Sequence, residues 1–133
     1  VYLNDYLMKA GIQIFLPKLP KDKNNKKLNF FKYLKTDKFT KNRFGILEPS
    51  KNMNPLDINE LDLILVPFRA INKNLYRLGF GGGFYDNSLA EINSNKCLGL
   101  GYEFQILDEF DIEPHDFKLG RLLTPEGYFK NAL

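Results

Sequence analysis

One cysteine, one histidine and no tryptophan occur among 133 residues. The lone Cys97 has no partner for an internal disulfide, which fits a reducing, cytoplasmic setting. A single thiol in an apolar strand reads more readily as a small core residue than as a nucleophile. With His115 the only histidine, there is no plausible Ser-His-Asp set and no Cys-His pair for nucleophilic catalysis. Apolar runs reach only four to six residues, far short of the ~20 that span a membrane. No internal repeat and no low-complexity tract is present. No secretory signal is visible, and Val1 reads as a start downstream of the native one.

What is present is ordinary for a globular chain: 44% hydrophobic, 26% charged and 14% aromatic residues. The length suits a single domain over residues 1–133. The net charge of +3 hides an asymmetry. Residues 18–43 carry ten Lys/Arg against two Asp, a local charge of +8, which leaves −5 for the rest. Such a basic lobe reads either as a solvated Lys/Asn-rich hairpin or as a surface for an anionic partner. A nucleic-acid surface would need aromatics interleaved with lysines on one exposed face. Phe30, Phe31, Tyr33 and Phe39 are available, but at least two of them belong in a core.

Periodicity gives a coarse fold. Tyr2, Leu3, Tyr6, Leu7 and Ala10 fall at helical spacing, and Gly11 is a good stop. Ile12–Leu16 reads as a buried strand ended by Pro17, and Leu28–Leu34 as a second strand. Thr36–Asn42 reads as loop or one helical turn. Leu61–Val66 is the best strand, and its continuous apolar end suits a parallel sheet covered on both faces. Phe84 to about Ile92 is helical. Cys97–Tyr102 is a central strand whose glycines imply that something packs close against its backbone. Arg121–Thr124 is a short final strand, after which Pro125–Tyr128 turns away. Strands alternating with helices predict an α/β fold, three-layer α/β/α and Rossmann-like with a mostly parallel sheet. Chemistry is then expected beyond the carboxyl ends of the strands.

The most informative stretch is Tyr76-Arg77-Leu78-Gly79-Phe80-Gly81-Gly82-Gly83-Phe84-Tyr85-Asp86. Four of the ten glycines fall within five positions. Glycine costs backbone entropy, so a cluster is kept where bare backbone must bend sharply or approach something closely. Arg77 offers a fork of donors suited to phosphate oxygens, and Asp86 is a hard oxygen ligand of the kind Mg²⁺ prefers. The glycines precede a helix, whose first amides favour an anion. The stretch therefore reads as a phosphate cradle with a metal-binding carboxylate at its edge, against the alternative of a turn that merely packs. It is not a P-loop, because no Lys-Ser/Thr follows. It is not a dinucleotide fingerprint either, since Phe84 occupies the last glycine position and the strand ending at Val66 lies well upstream.

Leu65-Val66-Pro67 followed by this stretch closely resembles the 5-formyltetrahydrofolate cyclo-ligase (5,10-methenyltetrahydrofolate synthetase) family. Phe44-Gly45-Ile46-Leu47-Glu48-Pro49, Gly101-Tyr102-Glu103-Phe104-Gln105, and Pro114-His115-Asp116 with Leu123-Thr124-Pro125-Glu126-Gly127 agree in order and spacing. The resemblance implies ATP-dependent, Mg²⁺-assisted cyclisation of 5-formyltetrahydrofolate to 5,10-methenyltetrahydrofolate, through an N5-iminium phosphate, releasing ADP and phosphate. That chemistry needs positioning and charge neutralisation more than a nucleophile.

By carry-over, Arg77, Leu78, Gly79, Phe80, Gly81, Gly82, Gly83, Phe84 and Tyr85 hold ATP, with Arg77 and Tyr85 nearest the chemistry. Phe84, Tyr85 and Tyr102, with Phe104 beside them, are expected against the folate, and Asp86 and Asp116 on the metal. Core packing is an equal alternative for these aromatics, and a turn role is the alternative for Asp116 and His115. Glu48 sits in a motif position with its role open. Phe68 stands where the family usually has glycine, and Asn87 where a basic residue is common. The family also carries an earlier helix and strand with basic ATP contacts and an acidic folate contact. The resemblance thus implies the C-terminal two thirds of the family domain, lacking the first helix-strand unit, which need not be active alone. The expected setting is a cytoplasmic monomer without nucleic-acid or membrane partners, with the 18–43 segment available to a polyglutamate tail. An inactive or divergent nucleotide-binding module on the same scaffold is the alternative.

Overall fold

A computed structural model describes residues 2–52, 54–79 and 81–130. It resolves two compact units, Val1–Glu60 and Leu61–Leu133. Among the described residues no helix is long and apolar enough to cross a membrane.

In the first unit, α1 spans Tyr2–Lys9. It ends as the sequence implies: Gly11 has φ +85°, its N–H donates to Met8 O, and the Ile12 N–H donates to Leu7 O. That pair of bonds is a Schellman motif, which needs the left-handed residue glycine adopts freely. Strand β1 (Phe15–Lys18) pairs antiparallel with β2 (Asn29–Lys32). The strand thus starts later than expected and runs through Pro17. The reason lies in the register. Tyr33 N–H donates to Ile14 O, which makes that pair hydrogen-bonded and, by alternation, leaves Pro17 opposite Phe30 at a position needing no N–H. The Phe30 carbonyl instead accepts from Leu56 N–H at 2.8 Å.

The segment expected as loop holds β3 (Phe39–Lys41), antiparallel to β4 (Leu47–Pro49). Glu48 explains its own place in this unit: its Oε2 accepts from Leu19 N–H at 3.0 Å and Asn42 Nδ2 at 3.3 Å. Phe30 and Phe31 are buried. Phe39, by contrast, is partly exposed, with its ring edge-on to Tyr33.

The second unit is built on β5 (Ile64–Val66), β8 (Cys97–Leu100), β9 (Arg121–Thr124) and β10 (Gly127–Lys130). The sheet order is β10-β9-β8-β5. The β5–β8 and β8–β9 pairings are parallel, and β9–β10 is antiparallel. This is an α/β fold with mixed sheets. Pro125-Glu126 does turn the chain, but into the added strand β10, with Gly127 opposite Thr124. A hairpin of β6 (Ala70–Ile71) and β7 (Arg77–Leu78) interrupts the path from β5 to the glycines. It explains why the glycine stretch stands so far from a strand of the main sheet. Asn72 Oδ1 braces the turn by accepting from the N–H groups of Asn74 and Tyr76, both at 3.0 Å. Helix α2 (Phe84–Leu89) is shorter than the pattern to Ile92 suggested.

The core of this unit contains Ile64, Val66, Ile71, Leu89, Cys97, Leu119 and Leu122. The close approach expected at the glycines of β8 is real. A Cβ on Gly99 would lie 2.8 Å from Leu119 Cδ1 and 2.9 Å from Phe68 Cε1. The Phe68 ring also covers Gly101.

Two outcomes follow from this packing. Gly99→Ala should lower stability to urea by roughly 1–3 kcal/mol through overpacking, and Phe68→Ala in the same chain should recover part of the loss. Full additivity of the two losses would show that the contact does not exist. Cys97 is fully buried, and burial pushes its thiol from the ordinary 9.0 up to about 11. At pH 8 a disulfide reagent should therefore label it only as fast as the unit opens, a rate that rises with urea. Rapid labelling of the native chain would contradict that placement.

Candidate active site

The site grows from one buried cation. Arg77, on β7, has a side chain only 3% exposed. Its Nε donates to Pro67 O at 3.0 Å, just beyond the carboxyl end of β5. Its Nη1 donates to Asp86 Oδ1 at 3.2 Å. Asp86, in the first turn of α2, accepts a second bond on the same oxygen from Phe117 N–H, also at 3.2 Å. The guanidinium carbon lies 5.6 Å from the Tyr85 ring centroid, within cation–π range. Burial lowers the Arg77 pKa from its usual value, while the charges of Asp86, Tyr85 and Asp116 oppose that drop. Burial likewise raises Tyr85, with Arg77 acting against it.

Gly79 packs against the guanidinium of this pair. A Cβ on Gly79 would sit 2.6 Å from Arg77 Nη2. Gly81 and Gly83 have φ +97° and +73°, a region that L side chains rarely occupy. Asn87 Nδ2 donates back to Gly83 O at 2.6 Å. The six-residue α2 aligns few peptide dipoles, so the helix-end attraction expected from the sequence is small beside the charge of Arg77. Phe80 lies outside the described residues, and Leu78 is partly exposed.

Asp86 and Asp116 line one cleft of about 440 Å³, together with Asn87, His115, Phe117 and Lys118. Asp116 caps its own turn: its Oδ2 accepts from Glu113 N–H at 2.8 Å, and its N–H donates to Glu113 O at 3.0 Å. His115 Nε2 stands 3.0 Å from Glu113 Oε2 and 3.8 Å from Asp116 Oδ1. Ligand atoms of Glu113, His115 and Asp116 fall within 4.8 Å of one another, although Glu113 and His115 are exposed. Two carboxylates facing a common cleft beside a fixed cation are an oxygen donor set that fits Mg²⁺, which keeps several waters and takes one or two protein carboxylates.

The structure thus brings Arg77, Gly79, Tyr85 and Asp86 together and sets Asp116 on the same cleft as Asp86. It does not place Tyr102 there. Tyr102 and Phe104 stack on each other at 5.6 Å and 7°, and both are largely exposed. Sequence reasoning missed the Phe117 amide, because a backbone donor has no residue signature. It also missed Gln105, whose Oε1 accepts from Tyr102 N–H at 2.8 Å while its Nε2 donates to Phe68 O at 3.2 Å.

Known proteins share this arrangement of segments. The 5-formyltetrahydrofolate cyclo-ligase family matches residues 2–125. The cyclo-ligase of Haemophilus influenzae is 38% identical over 100 residues, covering 73% of this chain and 54% of that protein. The Escherichia coli K12 cyclo-ligase is 32% identical over 127 residues, covering 92% of this chain and 69% of that one. In fold, the chain resembles the NMR structure of Aquifex aeolicus 5,10-methenyltetrahydrofolate synthetase, with TM-score 0.79, 24% identity, and coverage of 99% of this chain and 64% of that one. The chain therefore spans between about half and two thirds of the length of these relatives. The family match begins at the first helix and ends just past β9, taking in every segment that builds the cleft, and so the chain belongs to the 5-formyltetrahydrofolate cyclo-ligase family.

Proposed function

We propose that this chain carries the phosphate- and metal-holding part of an enzyme that cyclises 5-formyltetrahydrofolate to 5,10-methenyltetrahydrofolate at the expense of ATP. The observation supporting this most is the buried Arg77–Asp86 pair with Gly79 packed on the guanidinium, and with Asp116 on the same cleft as Asp86. In this reading the backbone of Gly79, Gly81, Gly82 and Gly83 receives the phosphates, over the charge of Arg77. Asp86 and Asp116 hold Mg²⁺. Phe84, Tyr85 and Tyr102 take the folate, with or without a polyglutamate tail. When bound, the ion supplies neutralisation of the phosphate oxygens.

The chemistry asks little covalent work of the protein. The γ-phosphoryl passes to the formyl oxygen, N10 attacks the activated carbon, and the C–O bond breaks as phosphate leaves. What the residues must do is align and neutralise. Burial of Arg77 favours that role, since charge acts more strongly where water is excluded. The same reading carries the finer fold expectation, a three-layer Rossmann-like sheet in the whole family domain, supported by the parallel β5–β8–β9 core. A cytoplasmic, monomeric setting belongs to it as well.

The test is spectrophotometric: formation of methenyltetrahydrofolate from 5-formyltetrahydrofolate and MgATP by the natural protein that contains this chain. Product should form, should vanish on chelation of Mg²⁺, and should fall at least about a hundredfold in kcat/KM for Asp86→Asn, as expected when a cation loses a charged ligand. Absence of product from the wild-type protein would overturn the proposal.

A further inference from the structure

Arg77 invites the reading of a direct phosphate contact, yet its geometry is that of a strut. We infer that Arg77 is a positioning residue, which fixes the Asp86 carboxylate for a divalent cation from beneath the glycine turn, and that Gly79 is glycine to leave room for its guanidinium. The inference rests on the proposed reading of Asp86 as a cation ligand.

Four observations carry it. The side chain is 3% exposed, so the guanidinium is not presented to a ligand arriving from solvent. Two of its nitrogens are already committed, Nε to Pro67 O and Nη1 to Asp86 Oδ1. The space above Nη2 is where a Gly79 side chain would begin, at 2.6 Å. Arg77 and Phe117 N–H both engage the same oxygen of Asp86. With Oδ1 doubly bonded, the carboxylate is held in one rotation. The hydrogen bonding of a ligating carboxylate by an outer partner is the usual means of orienting it. A planar, forked cation suits that task, and lysine, a point charge on a flexible stem, does not.

The test uses charge-conserving changes, so that altered electrostatics do not mimic misplacement. Mn²⁺ serves as the probe, because it takes the same oxygen ligands, and its free-ion EPR signal reports binding without turnover. Arg77→Lys and Gly79→Ala should each weaken Mn²⁺ binding by about 10- to 100-fold, the range for loss of an outer-shell partner. Asp86→Asn should weaken it at least as much. Unchanged Mn²⁺ affinity in both Arg77→Lys and Gly79→Ala, with Asp86→Asn impaired, overturns this inference alone. Unchanged affinity in Asp86→Asn removes the cation reading of that carboxylate, and this inference with it. Should a variant fail to fold, the wild-type protein still decides. The Arg77 Nε–H NMR signal should shift with Mg²⁺ alone and stay put with inorganic pyrophosphate in chelator. The reverse response would make Arg77 a phosphate contact and overturn the inference.

Discussion

A guanidinium cannot be taken out of water without partners, and the second unit is arranged around meeting that demand. Arg77 is buried where β5 ends, where the β6–β7 hairpin turns back, and where α2 begins. Its hydrogen bonds join Pro67 from the first of these to Asp86 from the last. Asp86 extends the link to Phe117. Three chain segments distant in sequence thus depend on one charge pair. Removing one member of a buried pair typically costs about 3–5 kcal/mol, because it strands the other charge. Replacing both by packed apolar groups is often cheap by comparison, so stability alone does not explain why charges occupy this place. A carboxylate held at a cleft is what the proposed cation site asks for.

The glycines of this unit are needed in two different ways. Gly81 and Gly83 are needed for their dihedral angles. Gly79 and Gly99 are needed because a neighbour fills the space their side chains would occupy, Arg77 in one case and Phe68 with Leu119 in the other. Phe68 fills the space left by bare backbone on the neighbouring strand. Its ring lies over Gly99 and Gly101 on β8, while Gln105 ties the loop of Tyr102 to the Phe68 carbonyl. A large residue on one strand end is matched to bare backbone on the next.

Much of this was legible beforehand, and the reasons differ by element. The helix ending at Gly11, the parallel strands and the grouping of Arg77, Tyr85 and Asp86 all show in local pattern, because periodicity and glycine placement are properties of neighbouring residues. Strands β3, β6 and β7 were not legible. Two or three residues carry no period, and β3 is made of Phe39-Thr40-Lys41, with all three exposed. Strand β10 hid behind a Pro-Glu-Gly turn that looked like an exit. The Pro17 boundary failed because proline bars only those strand positions whose N–H is needed, and register, which decides this, is not local. The stacking of Tyr102 on Phe104 was not legible either: motif membership fixes its neighbours in sequence, and only the fold fixes where its ring goes.

The basic segment shows what charge counting can and cannot say. Most of its lysines project from turns and strand faces of the first unit as exposed groups. Lys18 is an exception, with its ammonium donating to Lys51 O and Asn52 Oδ1, both at 2.9 Å. Lys51 in turn pairs with Asp37 at 2.8 Å, and holds that carboxyl below its ordinary range. These bonds knit the unit's own loops and spend cations on structure. A carboxylate-rich tail would therefore meet the remaining exposed lysines, a diffuse field screened over about 10 Å at 0.1 M salt. The cleft differs in kind. There a single buried cation is aimed at one carboxylate oxygen, and direction, which a net charge of +8 over 26 positions cannot supply, comes from burial.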